Sequence, residues 1–234
     1  MRLPFFQPKH IVKRTNRVST PSEIKDVLSG RLPEDAVQIV LSYFSGYPVQ
    51  LRIARQRHSK SGDFRPGLHG NPPRITINGN LNNYSFLITL IHEIAHLYGI
   101  SGSRKLPVGK SRPNPHGNQW KMIFRQLMDP FLTSDVFPDS VLYYLRLHMK
   151  NPKASSSSDP DLSRALSKFD HPSGGILLEE LPNDATFRIY NGKLFQKKER
   201  LRKRYRCISI KDGRVYMINP VVTVFPSTAS PLKI

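Results

Sequence analysis

The stretch Asn83-Tyr84-Ser85-Phe86-Leu87-Ile88-Thr89-Leu90-Ile91-His92-Glu93-Ile94-Ala95-His96-Leu97-Tyr98 decides the reading of this chain. Phe86, Leu87, Leu90, Ile91, Ile94 and Leu97 surround a helical axis on nearly every side, so the spacing predicts a helix buried in the middle of its domain. Asn82 or Asn83 can cap its start and Gly99 can end it. Two histidines and a glutamate interrupt this apolar surface as His92-Glu93-Ile94-Ala95-His96. Positions i and i+4 share a helix face, so both imidazoles can grip one metal ion. Glu93 is turned to where it can serve as a general base for a water at that ion. A buried carboxylate is costly without a compensating partner, and a metal site supplies the compensation. Zinc suits imidazole ligands and lowers the pKa of water bound to it towards neutrality.

The third ligand sorts the enzymes that share this spacing. The HExxHxxGxxH pattern of metzincins fits at Gly99 but fails at Gly102, where a histidine is required. A glutamate from a following helix fits poorly, because none occurs between His96 and Glu179, which lies beyond the expected linker. His116, His148 and several aspartates remain. Placement favours His116, which sits in Pro113-Asn114-Pro115-His116-Gly117-Asn118, a kinked approach to the next helix whose turn can aim a side chain. His148, near the end of a later helix, reads more easily as a packing or surface residue.

Working outward, a helix is predicted near Glu34–Phe44, behind Pro33. Strands follow at Val49–Ala54 and Arg74–Asn78, with a polar excursion over Arg55–Arg65 between them. Further helices are predicted near Asn118–Met128 and Asp139–His148. The run from Asn151 to Asp161, with Pro152, Ser155, Ser156, Ser157, Ser158 and Pro160, has the composition of a linker. Beyond it, Thr186–Tyr190, Leu194–Lys197, Tyr205–Ile210, Val215–Ile218 and Val221–Phe225 read as strands. Asn191-Gly192 and Asp212-Gly213 are hairpin turn signals between them. The expected architecture is α+β: a domain over residues 20–150 with helices packed on a small β-sheet, a linker over 151–175, and a small antiparallel β unit over 176–226.

Composition narrows the function classes. The chain of 234 residues carries 36 Lys+Arg against 17 Asp+Glu, a formal net charge of +19, and the excess is spread over both halves. Such a charge points to a polyanionic partner, most often nucleic acid. No apolar run is long enough for a membrane helix, and the basic first twenty residues lack the apolar core of a secretory signal, so a cytoplasmic protein is expected. The single cysteine, Cys207, excludes an intramolecular disulfide framework and any cysteine-rich zinc module. The densest basic run is Lys197-Lys198-Glu199-Arg200-Leu201-Arg202-Lys203-Arg204-Tyr205-Arg206. Its Lys197, Lys198, Arg200, Arg202, Lys203, Arg204 and Arg206 are the expected phosphate contacts, with little sequence preference. A looser cluster comprises Arg52, Arg55, Arg57, His58, Lys60 and Arg65.

His92-Glu93-Ile94-Ala95-His96 followed by His116-Gly117-Asn118-Gln119-Trp120-Lys121 resembles the SprT-like zinc metalloproteases, which include the Spartan-type enzymes. Their pattern is HExxH on a helix, a short loop, then H-G-x-x-W or H-G-x-x-F opening the next helix, and the resemblance covers roughly residues 20 to 150. It implies a minimal zincin-like fold with one Zn2+ held by His92, His96 and His116. It further implies Glu93 as catalytic acid and base and Trp120 packed beneath the metal loop. It also implies a DNA-linked task, the cleavage of proteins trapped on DNA. Many members carry a zinc ribbon with four cysteines, and Cys207 alone cannot make one, so a second zinc site is not expected. The competing reading is a non-catalytic nucleic-acid-binding protein whose zinc is structural; against it stands Glu93, for which a structural site has no use. A third is a zinc peptidase whose basicity is incidental. Tyr98, Tyr143 and His148 are the residue types able to assist an oxyanion.

Overall fold

The structure, a computed structural model, describes residues 18–55, 60–68, 70–103, 114–153, 159–170 and 174–227. It is a mixed α+β chain built around two hydrophobic cores.

The first core begins with helix α1 (Pro21–Leu28), started by a reciprocal capping box between Thr20 and Glu23 and by Pro21 in its first turn. A 3-10 turn at Glu34–Ala36 leads into α2 (Val37–Tyr43). Three strands follow: β1 (Gln50–Ala54), β2 (Gly62–Arg65) and β3 (Arg74–Asn78). They form a sheet in the order β1-β3-β2, with β1 parallel and β2 antiparallel to β3. Strand β2 lies inside the stretch read as a polar excursion. Gly-Asp-Phe-Arg carries no alternating apolar signal of its own; its pairing from Gly62↔Ile77 to Arg65↔Arg74 makes it a strand.

Helix α3 (Asn83–Ser103) crosses the middle of this unit, with Phe86, Leu87, Leu90, Ile91, Ile94 and Leu97 all buried. Asn82 caps it by accepting from the Ser85 N–H at 2.9 Å. The amide of Asn82 also donates to the carbonyl of Leu166 at 3.0 Å, which pins the helix start to a distant segment. The helix does not end at Gly99. That residue keeps a right-handed conformation, and a glycine permits a helix end without forcing one. Helices α4 (Asn118–Met128) and α5 (Asp139–Lys150) pack their apolar stripes onto the same core.

The stretch expected to be linker contains a further helix, α6 (Pro160–Ser167). Its Leu162, Ala165 and Leu166 are buried in the first core. Asp159 caps it through the Leu162 N–H and also meets Nδ1 of the buried His148 at 3.1 Å. Serine and proline dominate the composition of the region and conceal this eight-residue amphipathic stripe. The serines 155–158 lie outside the described residues.

The second core belongs to a six-stranded sheet: β4 (Ile176–Leu177), β5 (Thr186–Arg188), β6 (Leu194–Leu201), β7 (Arg204–Ser209), β8 (Val215–Ile218) and β9 (Thr223–Ser227), in the order β4-β9-β5-β6-β7-β8. Every pairing is antiparallel. Phe187, Phe195, Cys207 and Val224 fill its centre. Asn191-Gly192 and Asp212-Gly213 turn β5 into β6 and β7 into β8, with both glycines at positive φ. No helix among the described residues is long and apolar enough to cross a membrane.

Candidate metal centre

His92 and His96 stand one turn apart on α3, and His116 meets them from the loop before α4. His116 has a φ of 67°, a left-handed conformation uncommon outside glycine and maintained only where surrounding structure imposes it. The next residue, Gly117, caps α4, and its N–H donates to the Asn114 carbonyl at 2.9 Å. A Cβ at Gly117 would stand 3.0 Å from that carbonyl oxygen. A side chain there would crowd the carbonyl that closes the turn, and the turn aims the preceding imidazole back at α3.

The three Nε2 atoms form a nearly equilateral triangle with sides of 3.0, 3.1 and 3.2 Å. Each neutral imidazole nitrogen offers either one proton or one lone pair, so three converging on one point cannot all satisfy one another by hydrogen bonds. A cation can satisfy all three. Tetrahedral ligation at about 2.0–2.1 Å per nitrogen needs nitrogens about 3.3 Å apart, close to the observed spacing. His92, His96 and His116 are the group of potential metal ligands among the described residues; His148 and the aspartates do not join it.

Electrostatics favour the ligand form of each histidine. Burial, reinforced by the neighbouring His96, His116 and His148, pushes the His92 pKa down to about 3. Burial and His116 push His96 down to about 4, and burial also lowers His116. All three rings are therefore neutral near pH 7, as metal binding requires.

The walls are aromatic. The Trp120 indole lies 4.6, 5.4 and 4.8 Å, centroid to centroid, from the rings of His92, His96 and His116. It stacks in turn on Phe124 at 4.9 Å. Phe64 on β2 lies parallel to the His96 ring at 6.3 Å. Glu93 is 6% exposed, and its carboxylate rests against the backbone of β2. A Cβ at Gly62 would lie only 2.5 Å from Glu93 Oε1 and 2.7 Å from Thr89 Cγ2. Gly62, Phe64 and Thr89 were not apparent as site residues from sequence, because nothing local marks a strand that acquires its place by pairing.

Two of the three oxyanion candidates, Tyr98 and His148, are engaged elsewhere. Tyr98 donates its hydroxyl to the Tyr43 carbonyl at 2.9 Å, and burial raises its pKa to about 12. Tyr143 is exposed on α5 beside Tyr144. His148 is buried against Asp159.

The basic run divides sharply. Lys197 is 2% exposed, faces the second core, and donates to the carbonyls of Glu179 and Leu181 beneath the Tyr205 ring. It cannot meet phosphate: its register opposite Cys207 places it on the inner face of the sheet. Lys198 pairs with Asp184 and Arg206 with Glu199. Arg200, Arg202, Lys203 and Arg204 are exposed around the β6–β7 turn. In the looser cluster, Lys60 and Arg65 both pair with Asp63, and Arg57 and His58 lie outside the described residues. Comparison with family models, curated proteins and solved structures finds no match to this chain.

Proposed function

We propose that the chain is a cytoplasmic zinc-dependent endopeptidase of the SprT-like type, with a minimal zincin-like fold, acting on proteins bound or crosslinked to DNA. The observation that carries the reading is the closed triangle of three neutral imidazole nitrogens beside a buried glutamate. A structural site would commonly add a fourth protein ligand and has no need of a carboxylate at its margin. Zinc, when bound, supplies a Lewis acid that polarises a carbonyl oxygen and acidifies water.

The chain's own residues do the rest. Glu93 accepts a proton from the attacking water and passes it to the departing amine. Its pocket, closed on one side by the bare backbone of Gly62, holds the carboxylate in one place. Strand β2 is an outer strand of its sheet, so its backbone can pair with an extended peptide and lay it beside Glu93. The +19 net charge and the exposed cations at the β6–β7 turn support delivery to DNA. Substrate choice then follows from proximity, since tethering raises the effective concentration of DNA-bound protein at the site.

The test is cleavage of a protein crosslinked to DNA, beside the same protein free in solution. Wild type with metal should cleave, and mainly the crosslinked form. Glu93→Gln should keep its metal and lose at least about a hundredfold in kcat, the usual scale for an acid–base group. Equal rates for wild type and Glu93→Gln would end the enzymatic reading. Metal retention and DNA binding without any cleavage would favour the non-catalytic nucleic-acid-binding protein instead.

A further inference from the structure

We infer that the β6–β7 hairpin tip is a binding site for single-stranded nucleic acid, with cations for phosphates and an apolar platform for unstacked bases. This rests on the proposed association with DNA and specifies which form of DNA is held, and where.

Three observations carry it. The first is the turn. Leu201 pairs with Arg204 across the two residues Arg202 and Lys203. Such turns favour asparagine and glycine, and the sheet's other two hairpins use Asn191-Gly192 and Asp212-Gly213. Here Arg202 itself takes a φ of 48°, a conformation unfavourable for a long side chain. Cations therefore occupy the tip against local backbone preference, as happens where function overrides a local rule.

The second is charge. Lys197, Lys198 and Arg206 are satisfied within the protein, whereas Arg202, Lys203 and Arg204 form no ion pair among the described residues. The third is the apolar surface between them. Leu201 is opposite Arg204, and Met217 opposite Arg206, so the two share the outer face of the sheet. Leu201 is 47% and Met217 40% exposed, and both line one shallow concavity with Arg202, Lys203 and Arg204. Phosphate binding alone has no use for exposed leucine and methionine. Bases free of stacking partners do, since an apolar side chain or a guanidinium plane can cover their faces. A blunt duplex buries those faces within its own stack.

The experiment measures binding of labelled oligonucleotides to the full chain across a salt series. The probes are a single strand, a blunt duplex of the same sequence, and a glutamate polymer as competitor. Three variants are compared with wild type: Arg202→Ser/Lys203→Ser/Arg204→Ser, Leu201→Ser/Met217→Ser, and the distant Lys25→Ser/Lys150→Ser/Lys168→Ser, which removes the same charge. Far-ultraviolet circular dichroism checks that each is folded.

Wild type should bind the single strand at least about tenfold more tightly than the duplex. The tip cation variant should weaken single-strand binding and flatten the salt slope by about 2, since each single-strand phosphate contact contributes about 0.7. The apolar variant should lose the single-strand preference with its salt slope unchanged, and the distant variant should resemble wild type. A preference that survives Leu201→Ser/Met217→Ser overturns the inference, as does a glutamate polymer competing as well as the single strand. Duplex bound as tightly as single strand overturns it while the DNA-associated reading stands. No binding of either DNA at low salt removes both.

Discussion

Trp120 is the only tryptophan in the chain, and its indole touches all three imidazoles of the candidate centre. Its fluorescence therefore reports the site directly. Adding Cu2+ or Co2+ to metal-free protein should quench it with a stoichiometry of about one, because quenching by these ions is short-range and three imidazoles are a sufficient donor set. His116→Ala should abolish saturable quenching; unchanged quenching in that variant would place the ion elsewhere. Cys207 makes the opposite prediction. It is fully buried, and burial raises its pKa to about 11, so at pH 8 the thiol is protonated and shielded. Alkylating reagents should leave it intact in the folded protein and label it only after denaturation. The clustering of the three histidines was legible at this scale because helical period puts i and i+4 on one face and the kinked approach Pro113-Asn114-Pro115-His116-Gly117 marks a turn. Lys197 was not, because a charge run masks the strand alternation that turns every second residue inward.

Among elements, the decisive contact is β2 passing over α3 without a side chain at Gly62. Gly62→Ala places a Cβ 2.5 Å from Glu93 Oε1, so either the carboxylate or the strand must move. Overpacking of this kind costs about 1–3 kcal/mol. The variant should bind metal with unchanged stoichiometry yet lose at least about tenfold in peptide cleavage, because the ligands on α3 and before α4 are untouched while Glu93 is displaced. Wild-type cleavage by Gly62→Ala would show that Glu93 needs no fixed position. This contact also marks the limit of sequence reading. Helices α3 and α4 have strong local periodicity and were legible, with their ends less so. Strand β2 and helix α6 depend on partners far away in the chain: β3 supplies the hydrogen bonds of one, and the first core receives Leu162, Ala165 and Leu166 of the other. Short elements of this sort take their identity from tertiary contacts, which outweigh intrinsic propensity.

At the scale of the molecule, the two cores are joined by an ion pair between α6 and the turn after β4. Arg164 Nη2 donates to Glu179 Oε2 at 2.8 Å, while Arg164 Nε lies against the other carboxylate oxygen. This hydrogen bonding holds Glu179 below its ordinary pKa of 4.5 and raises that of Arg164. Because the folded-state pKa of Glu179 is lowered, the pair contributes its full stability above pH 4.5. That contribution disappears as the pH falls through the folded value and the carboxylate takes up a proton. The Arg164 side chain is 33% exposed and also meets Asp161, so screening keeps the expected contribution to about 1 kcal/mol. Urea unfolding of wild type and Glu179→Gln at a series of pH values tests this. The gap between their midpoints should be widest near neutrality and close below pH 4.5. Separate probes, Trp120 fluorescence for the first core and alkylation of the single buried thiol, Cys207, for the sheet, should diverge more in Glu179→Gln than in wild type, because the variant loosens the connection between two units that each have their own apolar centre. A gap that stays constant to pH 3 would mean that Glu179 acts through shape rather than charge, leaving the cores coupled by the packing and capping of α6 alone.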